Sequence, residues 1–107
     1  MNLCKKIGLI GLLLSPGLST QAAEYMVDQK EKNFSQPHLN IKVGDTVTFR
    51  NSDKFFHNVF SMSDTKTFDL GSYAQGKSKT VTFDKLGLIE VECAIHPAMK
   101  MTVEVSK

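Results

Sequence analysis

Three residues near the C-terminal end of the chain carry side chains that bind soft metal ions. Cys93, His96 and Met99 follow one another at intervals of three residues. Thiolate and thioether sulfur favour Cu(I), and imidazole suits copper as well as zinc. Two histidines, one cysteine and a weakly bound axial methionine form the pattern of electron-transferring copper sites. The stretch therefore indicates a copper site that still needs a second histidine.

A candidate for that histidine lies upstream, in an aromatic run. His57 lies among three phenylalanines, and the whole chain has only three histidines. Taken alone, His57 would more often be a surface or capping residue, Cys93 an inert buried thiol and Met99 a filler of the core. Their joint presence in one short chain favours a shared site.

The first residues are typical of an export signal. A short basic start precedes an apolar run, which is followed by a helix-breaking Ser-Pro-Gly and by small residues. We predict a signal peptide at residues 1–22, cleaved after Ala22 or Ala23, and a single mature domain at residues 23–107. The apolar run is shorter than the roughly 20 residues that span a bilayer, so we expect a soluble periplasmic protein without a membrane anchor.

The charge balance of the mature chain argues against several classes of partner. The full chain has 13 basic and 11 acidic residues, and loss of Lys5 and Lys6 with the signal leaves eleven of each. Such a balance gives no basis for binding nucleic acid or an anionic membrane, and it predicts weak steering of partners. We expect a monomer in which Cys93, alone in an oxidising compartment, has no internal disulfide partner.

Apolar and polar residues alternate almost throughout the mature chain, which is the period of half-buried strands. Val47 and Phe49 alternate clearly with polar neighbours, and we expect the Gly44-Asp45 turn before them to close a hairpin. The alternation that ends at Cys93 predicts that its side chain faces the core at the end of a strand. Seven or eight short strands separated by turn residues predict an all-β protein, an antiparallel β-sandwich.

The sequence resembles the plastocyanin and amicyanin branch of the cupredoxins over essentially the whole mature chain. The residues that carry the resemblance are Phe34, Pro37, Leu39, Ile41-Lys42, Gly44-Asp45-Thr46-Val47, Phe49, Asn51, Asp53, His57-Asn58-Val59, Phe68-Asp69, Gly76, Ser78 and Cys93-x-x-His96-Pro97-x-Met99. This resemblance implies an eight-stranded Greek-key sandwich. It also implies one copper ion, alternating between Cu(I) and Cu(II), with His57, Cys93 and His96 as ligands and Met99 as the axial ligand.

The resemblance also assigns supporting roles around these ligands. Asn58 resembles the asparagine that ties the two ligand segments together in the family, usually through a hydroxyl residue that follows the cysteine. That residue is Ala94 here, so one side-chain hydrogen bond of the family pattern is missing. Pro97 fixes one backbone dihedral directly after His96 and should stiffen the loop. Met101, two residues past Met99, remains open as an alternative axial ligand.

The function that the resemblance implies is transfer of single electrons between redox proteins. Docking of such transient partners would use an apolar patch around the exposed edge of His96. Candidates for that patch are Pro97 and Ala98, with Phe56 or Phe60. No acid/base pair or open-coordination motif adjoins the four ligands, so we do not expect an enzyme.

Two alternatives from other classes stay open. One is a periplasmic protein for copper buffering, delivery or resistance, in which Met26, Met62 and His38 could serve as extra donors. The other is a metal-free sandwich used for adhesion or scaffolding.

Overall fold

A computed structural model describes residues 21–107. These residues form nine strands and no helix: β1 (Glu24–Lys30), β2 (Asn33–Phe34), β3 (His38–Lys42), β4 (Thr46–Asn51), β5 (His57–Ser63), β6 (Lys66–Tyr73), β7 (Ser78–Thr82), β8 (Gly87–Cys93) and β9 (Lys100–Ser106). The predicted signal at residues 1–22 lies outside the described residues except for its last two. The described part of the chain contains no helix long and apolar enough to cross a membrane.

The strands form two sheets that enclose one core. One sheet has the order β2-β1-β4-β7 and the other the order β3-β9-β8-β5-β6. The all-β sandwich predicted from the alternation is confirmed. Two details differ: β1 pairs with β4, and β3 with β9, in parallel rather than antiparallel fashion. The strand count also exceeds the expected seven or eight, because the two-residue β2 lies where the sequence suggested an irregular connection.

The expected turn at Gly44-Asp45 is present, but it does not close a hairpin. The turn has the expected chemistry, since Gly44 has a φ of 96° and the Asp45 N–H donates to the carbonyl of Lys42 at 3.0 Å. However, β3 before the turn lies in the five-stranded sheet, and β4 after it lies in the four-stranded sheet. The hairpin prediction was wrong because alternation identifies the buried face of a strand and leaves its neighbours undetermined.

Apolar side chains from both sheets form one cluster. Its buried members in the described chain are Val27, Phe34, Leu39, Ile41, Val47, Phe49, Val59, Tyr73, Val81, Phe83, Ile89, Val91, Cys93, Met99, Met101, Val103 and Val105. Two candidate metal ligands, Cys93 and Met99, belong to this cluster. The candidate site is therefore an extension of the hydrophobic core and is positioned by the packing of that core.

The pairing of β5 with β8 brings the two candidate ligand segments together. Val59 in β5 lies opposite Cys93, the last residue of β8. His57 and Val59 are both fully buried, because alternate residues of a strand share one face. His57 therefore faces the core beside the point where β8 ends and the Cys93 loop begins. A bulge in the β5–β6 pairing, with Gly71 at a φ of 73°, lies next to this point.

Candidate metal centre

Three donor atoms converge where β5 begins and β8 ends. The Nδ1 atoms of His57 and His96 are 3.3 Å apart, and they lie 3.5 Å and 3.9 Å from the Sγ atom of Cys93. Within the described chain these residues form a group of potential ligands whose donor atoms all lie within 4.8 Å of one another. The structure thus brings together the three residues that the sequence singled out.

The size of this triangle fits a single metal ion. The point equidistant from the three donor atoms lies inside the triangle, about 2.1 Å from each. For comparison, Zn²⁺ binds imidazole nitrogen at about 2.0–2.1 Å and thiolate sulfur at about 2.3 Å. A shared ion would therefore need only small movements of these side chains. One thiolate and two imidazoles in a plane are the equatorial donors of electron-transferring copper sites.

A buried carboxylate orients the His57 ring. The Nε2 atom of His57 lies 2.7 Å from Oδ2 of Asp53, and neither side chain is more than 8 % exposed. Burial raises the pKa of Asp53, but hydrogen bonds from His57 and from the backbone N–H groups of Lys32 and Glu31 outweigh it and hold that pKa below its ordinary value. The ionised carboxylate accepts the proton of Nε2, which leaves Nδ1 as the nitrogen with a free lone pair.

Asp53 also holds the turn between β1 and β2. Its Oδ1 atom accepts the N–H of Glu31 at 2.6 Å, and its Oδ2 atom accepts the N–H of Lys32 at 3.1 Å. Both turn residues adopt left-handed backbone conformations, with φ of 54° and 60°, which usually call for glycine or asparagine. One carboxylate therefore compensates for an unfavourable turn and fixes the orientation of His57 at the same time.

Backbone groups connect the Cys93 segment to the His57 segment. The N–H of Asn58 donates to Sγ of Cys93 at 3.4 Å, and the carbonyl of Asn58 accepts the N–H of Ala94 at 3.0 Å. The resemblance to the family implied that the side chain of Asn58 connects the segments through a hydroxyl at position 94. These two links need no side chain at either position, so Ala94 is compatible with a firm connection.

The loop after Cys93 closes on itself before β9 begins. The N–H of Met99 donates to the carbonyl of His96 at 2.8 Å, and the N–H of Cys93 approaches the carbonyl of Met99 at 3.3 Å. Pro97 lies inside this closed turn, and its role in stiffening the loop stays a prediction. Met99 is 1 % exposed, and Met101 is buried in β9 opposite Val91.

His96 differs from His57 in being partly exposed to solvent. Desolvation lowers its pKa, and the nearby His57 and Lys32 lower it further, so the neutral imidazole that can bind a metal is favoured. The ring of Phe55 packs against both imidazoles, with centroid distances of 5.4 Å to His57 and 5.1 Å to His96. Phe55 thus covers the side of the site between the two histidines.

Comparison with known proteins identifies the family. A model of the copper-binding proteins of the plastocyanin/azurin family matches residues 21–106. The chain belongs to this family. The resemblance seen in the sequence is confirmed, and the cluster of His57, Cys93 and His96, with Met99 in the same closed loop, matches a type 1 copper site.

Two relatives match most of the copper-binding chain. It is 28% identical over 101 residues to the methylamine utilization protein MauL of Methylorubrum extorquens. That alignment covers 94% of this chain and 89% of MauL. It is 30% identical over 100 residues to amicyanin of Paracoccus denitrificans. That alignment covers 85% of this chain and 73% of amicyanin.

Solved structures give the same fold. A reduced variant of amicyanin aligns with a TM-score of 0.73 at 26% identity, over 83% of this chain and 88% of that one. A copper-containing nitrite reductase from Thermus scotoductus aligns with a TM-score of 0.75 at 25% identity. That alignment covers 90% of this chain but only 27% of the enzyme, so the likeness concerns one portion of it.

Sequence reasoning gave no role to two residues that the structure places against the site. Asp53 was noted only as part of the family pattern, and Phe55 only as a neighbour of His57. An acidic residue four positions before a candidate histidine, just after a strand ends, is the signal that could have revealed Asp53. The extra donors considered for copper handling do not join the cluster: Met26 is 54% exposed, Met62 is 72% exposed, and His38 contacts Thr102.

Replacement of Asp53 by asparagine tests whether its charge supports the site. We expect Asp53→Asn to weaken copper binding by about 10–100-fold, because a neutral amide makes the His57 ring a poorer donor. The measurement is competition for Cu(I) and Cu(II) against chelators of known affinity. Asp64→Asn, which changes an exposed carboxylate, is the matched control. Equal affinities in the Asp53 variant and the control would show that the carboxylate does not act on the site.

Proposed function

We propose that this protein is an exported carrier of single electrons, with one copper ion held by His57, Cys93 and His96 and with Met99 as the axial ligand. The observation that carries the proposal is the size of the donor triangle, which suits an ion about 2.1 Å from each atom. When bound, copper supplies a centre that alternates between Cu(I) and Cu(II). The donor set is a compromise between the preferences of the two states, which suits electron transfer.

The surroundings of the donors support electron transfer because they resist rearrangement. His57 is fully buried and is held by Asp53, while the Cys93 sulfur receives the N–H of Asn58. A site that changes little between oxidation states loses little energy to reorganisation, and contacts of this kind keep ligands in place. Our proposal does not include enzymatic activity, because the donors are enclosed by protein except on the side of His96.

Met99 is the better candidate for the axial position. It lies in the closed turn that also contains His96, and its N–H is bonded to the His96 carbonyl. Both methionines belong to the core cluster, but Met101 lies inside the β8–β9 ladder, opposite Val91. Movement of the Met101 side chain toward the donors would leave a void in that core.

Electrons would enter and leave through the exposed edge of His96. Apolar residues from both ligand segments are exposed: Phe56 is 54% exposed and Ile95 is 46% exposed, and Pro97 and Ala98 are exposed as well. A small apolar surface of this kind suits brief docking to redox partners. Phe60 is half-buried in β5, so Phe56 is the better candidate of the two phenylalanines considered for the patch.

A pocket beside Phe55 carries more basic than acidic side chains. Lys30, Lys32 and Lys54 line this shallow pocket of about 600 Å³ together with Glu31 and the buried Asp53, and the Lys32 ammonium lies 5.6 Å from the centre of the Phe55 ring. The mature chain as a whole is balanced in charge, so long-range steering should be weak. Close to the site, however, these lysines favour a partner with carboxylates around its own redox centre.

The visible spectrum tests the proposed function. We expect the oxidised copper protein to absorb intensely in the visible range, because a thiolate bound to Cu(II) donates charge to it, and to be reduced and reoxidised reversibly. Cys93→Ser should abolish the absorption, since serine supplies no thiolate, whereas Met62→Leu, at an exposed position, should leave it unchanged. A colourless adduct, or one that reduces itself rapidly, would favour copper buffering or delivery instead.

The axial assignment is tested by electrochemistry. We expect Met99→Leu to raise the reduction potential by at least about 60 mV, a tenfold change in the one-electron equilibrium constant, because loss of a donor destabilises Cu(II) more than Cu(I). Met101→Leu conserves volume in the core and should leave the potential nearly unchanged. A shift in the Met101 variant with none in the Met99 variant would reverse the assignment.

The lysine pocket is tested with small redox reagents of opposite charge. We expect Lys32→Glu to slow reaction of the protein with anionic hexacyanoferrate and to accelerate reaction with cationic tris(phenanthroline)cobalt(III), because it reverses the charge beside Phe55. Both effects should shrink at high salt. Lys85→Glu is the control, because Lys85 lies just before β8, at the end of that strand opposite Cys93. Equal effects of the two substitutions would count against a local docking surface.

A further inference from the structure

The start of β1 makes a contact that the copper site does not use. The backbone N–H of Ala23 donates to Oδ1 of Asp45 at 2.8 Å, and the Ala23 carbonyl accepts the N–H of Thr46 at 3.0 Å. The parallel pairing of β1 with β4 begins at the next residue, with Glu24 beside Thr46. Among the described residues, Ala23 is therefore the first whose backbone N–H and backbone carbonyl are both hydrogen-bonded to the sandwich.

Asp45 is a buried carboxylate that lacks a cationic partner among the described residues. It is 4% exposed, and its Oδ2 atom accepts the N–H of Lys42 at 2.9 Å. The side-chain ammonium of Lys42 points elsewhere, to the carbonyl of Lys107 at 3.1 Å. The ion pairs found within residues 21–107 involve Asp53, Asp84 and Glu104, and not Asp45. A buried carboxylate without a counter-ion is costly, so a cation at Oδ1 would be favourable.

We propose that the exported chain is cut between Ala22 and Ala23, and that the new α-ammonium group of Ala23 forms an ion pair with Asp45. The cut hydrolyses one peptide bond: water supplies a hydroxyl to the Ala22 carbonyl and a proton to the Ala23 nitrogen. The new Ala22 carboxyl group then ionises, and the Ala23 amine takes up a second proton to become an ammonium group. The nitrogen that already donates to Asp45 then carries a positive charge without having to move. A hydrogen bond between charged groups is shorter and stronger than one from a neutral amide.

The structure distinguishes cleavage after Ala22 from cleavage after Ala23. The sequence allows cleavage after Ala22 or after Ala23, because small residues precede both positions. Cleavage after Ala23 would remove the donor to Asp45 and the acceptor for Thr46, and would leave Oδ1 without its partner. Cleavage after Ala22 keeps both bonds and adds the missing charge. The inference does not depend on copper or on electron transfer.

The first test is the N-terminal residue of the exported protein. The full chain is expressed in a Gram-negative bacterium, and the protein recovered from the periplasm is analysed by intact mass and N-terminal sequencing. We expect a single species that begins at Ala23. A chain that begins at Glu24, or one that retains Ala22, would overturn the proposal.

The second test measures the reactivity of the new amino group. Near pH 7, an ion pair with Asp45 keeps the amine protonated and slows its reaction with an acylating reagent. We expect the N-terminal amine to react about tenfold faster in Asp45→Asn than in the wild-type protein, and at the wild-type rate in Asp64→Asn. If Asp45→Asn does not fold, the wild-type amine is compared in buffer and in denaturant, where protection should be lost. Equal rates in either comparison would show that no ion pair forms.

Discussion

A short ladder between β5 and β8 determines whether this protein can have a metal centre. Its residue pairs are Val59 with Cys93 and Phe60 with Glu92, and the backbone of Asn58 adds two further contacts to the Cys93 segment. The donors come from segments separated by 36 residues of chain. Disruption of this ladder would break two residue pairs between the strands, and it would also move the donor atoms of His57 and Cys93 apart, because the ladder sets the distance between them.

The sequence singled out the residues that cluster at the candidate site more successfully than it identified the strand neighbours. Ligand spacing is a local property, so Cys93 and His96 could be recognised within four residues, and alternation correctly predicted that Cys93 ends a strand on its buried face. Pairing is a non-local property. The turn at Gly44-Asp45 was recognised, yet the two strands it joins lie in different sheets, because sandwich folds cross between sheets at turns that look like hairpin turns.

Asp53 shows a second limit of sequence reasoning. Its contacts reach Glu31 and Lys32 on one side and His57 on the other, and nothing local in the sequence predicts that the turn after β1 approaches the start of β5. The Glu-Lys pair at that turn lacks the glycine or asparagine that left-handed positions favour. The missing turn signal makes sense only once the buried carboxylate that stabilises the turn is known, so local propensity and tertiary structure must be considered together.

The two histidines of the candidate site divide structural and functional demands between them. His57 is fully buried, bonded to an ionised carboxylate and in contact with Phe55, so it is anchored by the sandwich. His96 is partly exposed and is held by a five-residue spacer, Ala94–Ala98, between two buried sulfur residues. The rigid surroundings of His57 limit rearrangement of the ligands, and the exposure of His96 shortens the distance between the site and a redox partner. A single histidine could not meet both requirements, because the contacts that fix His57 also remove it from the surface.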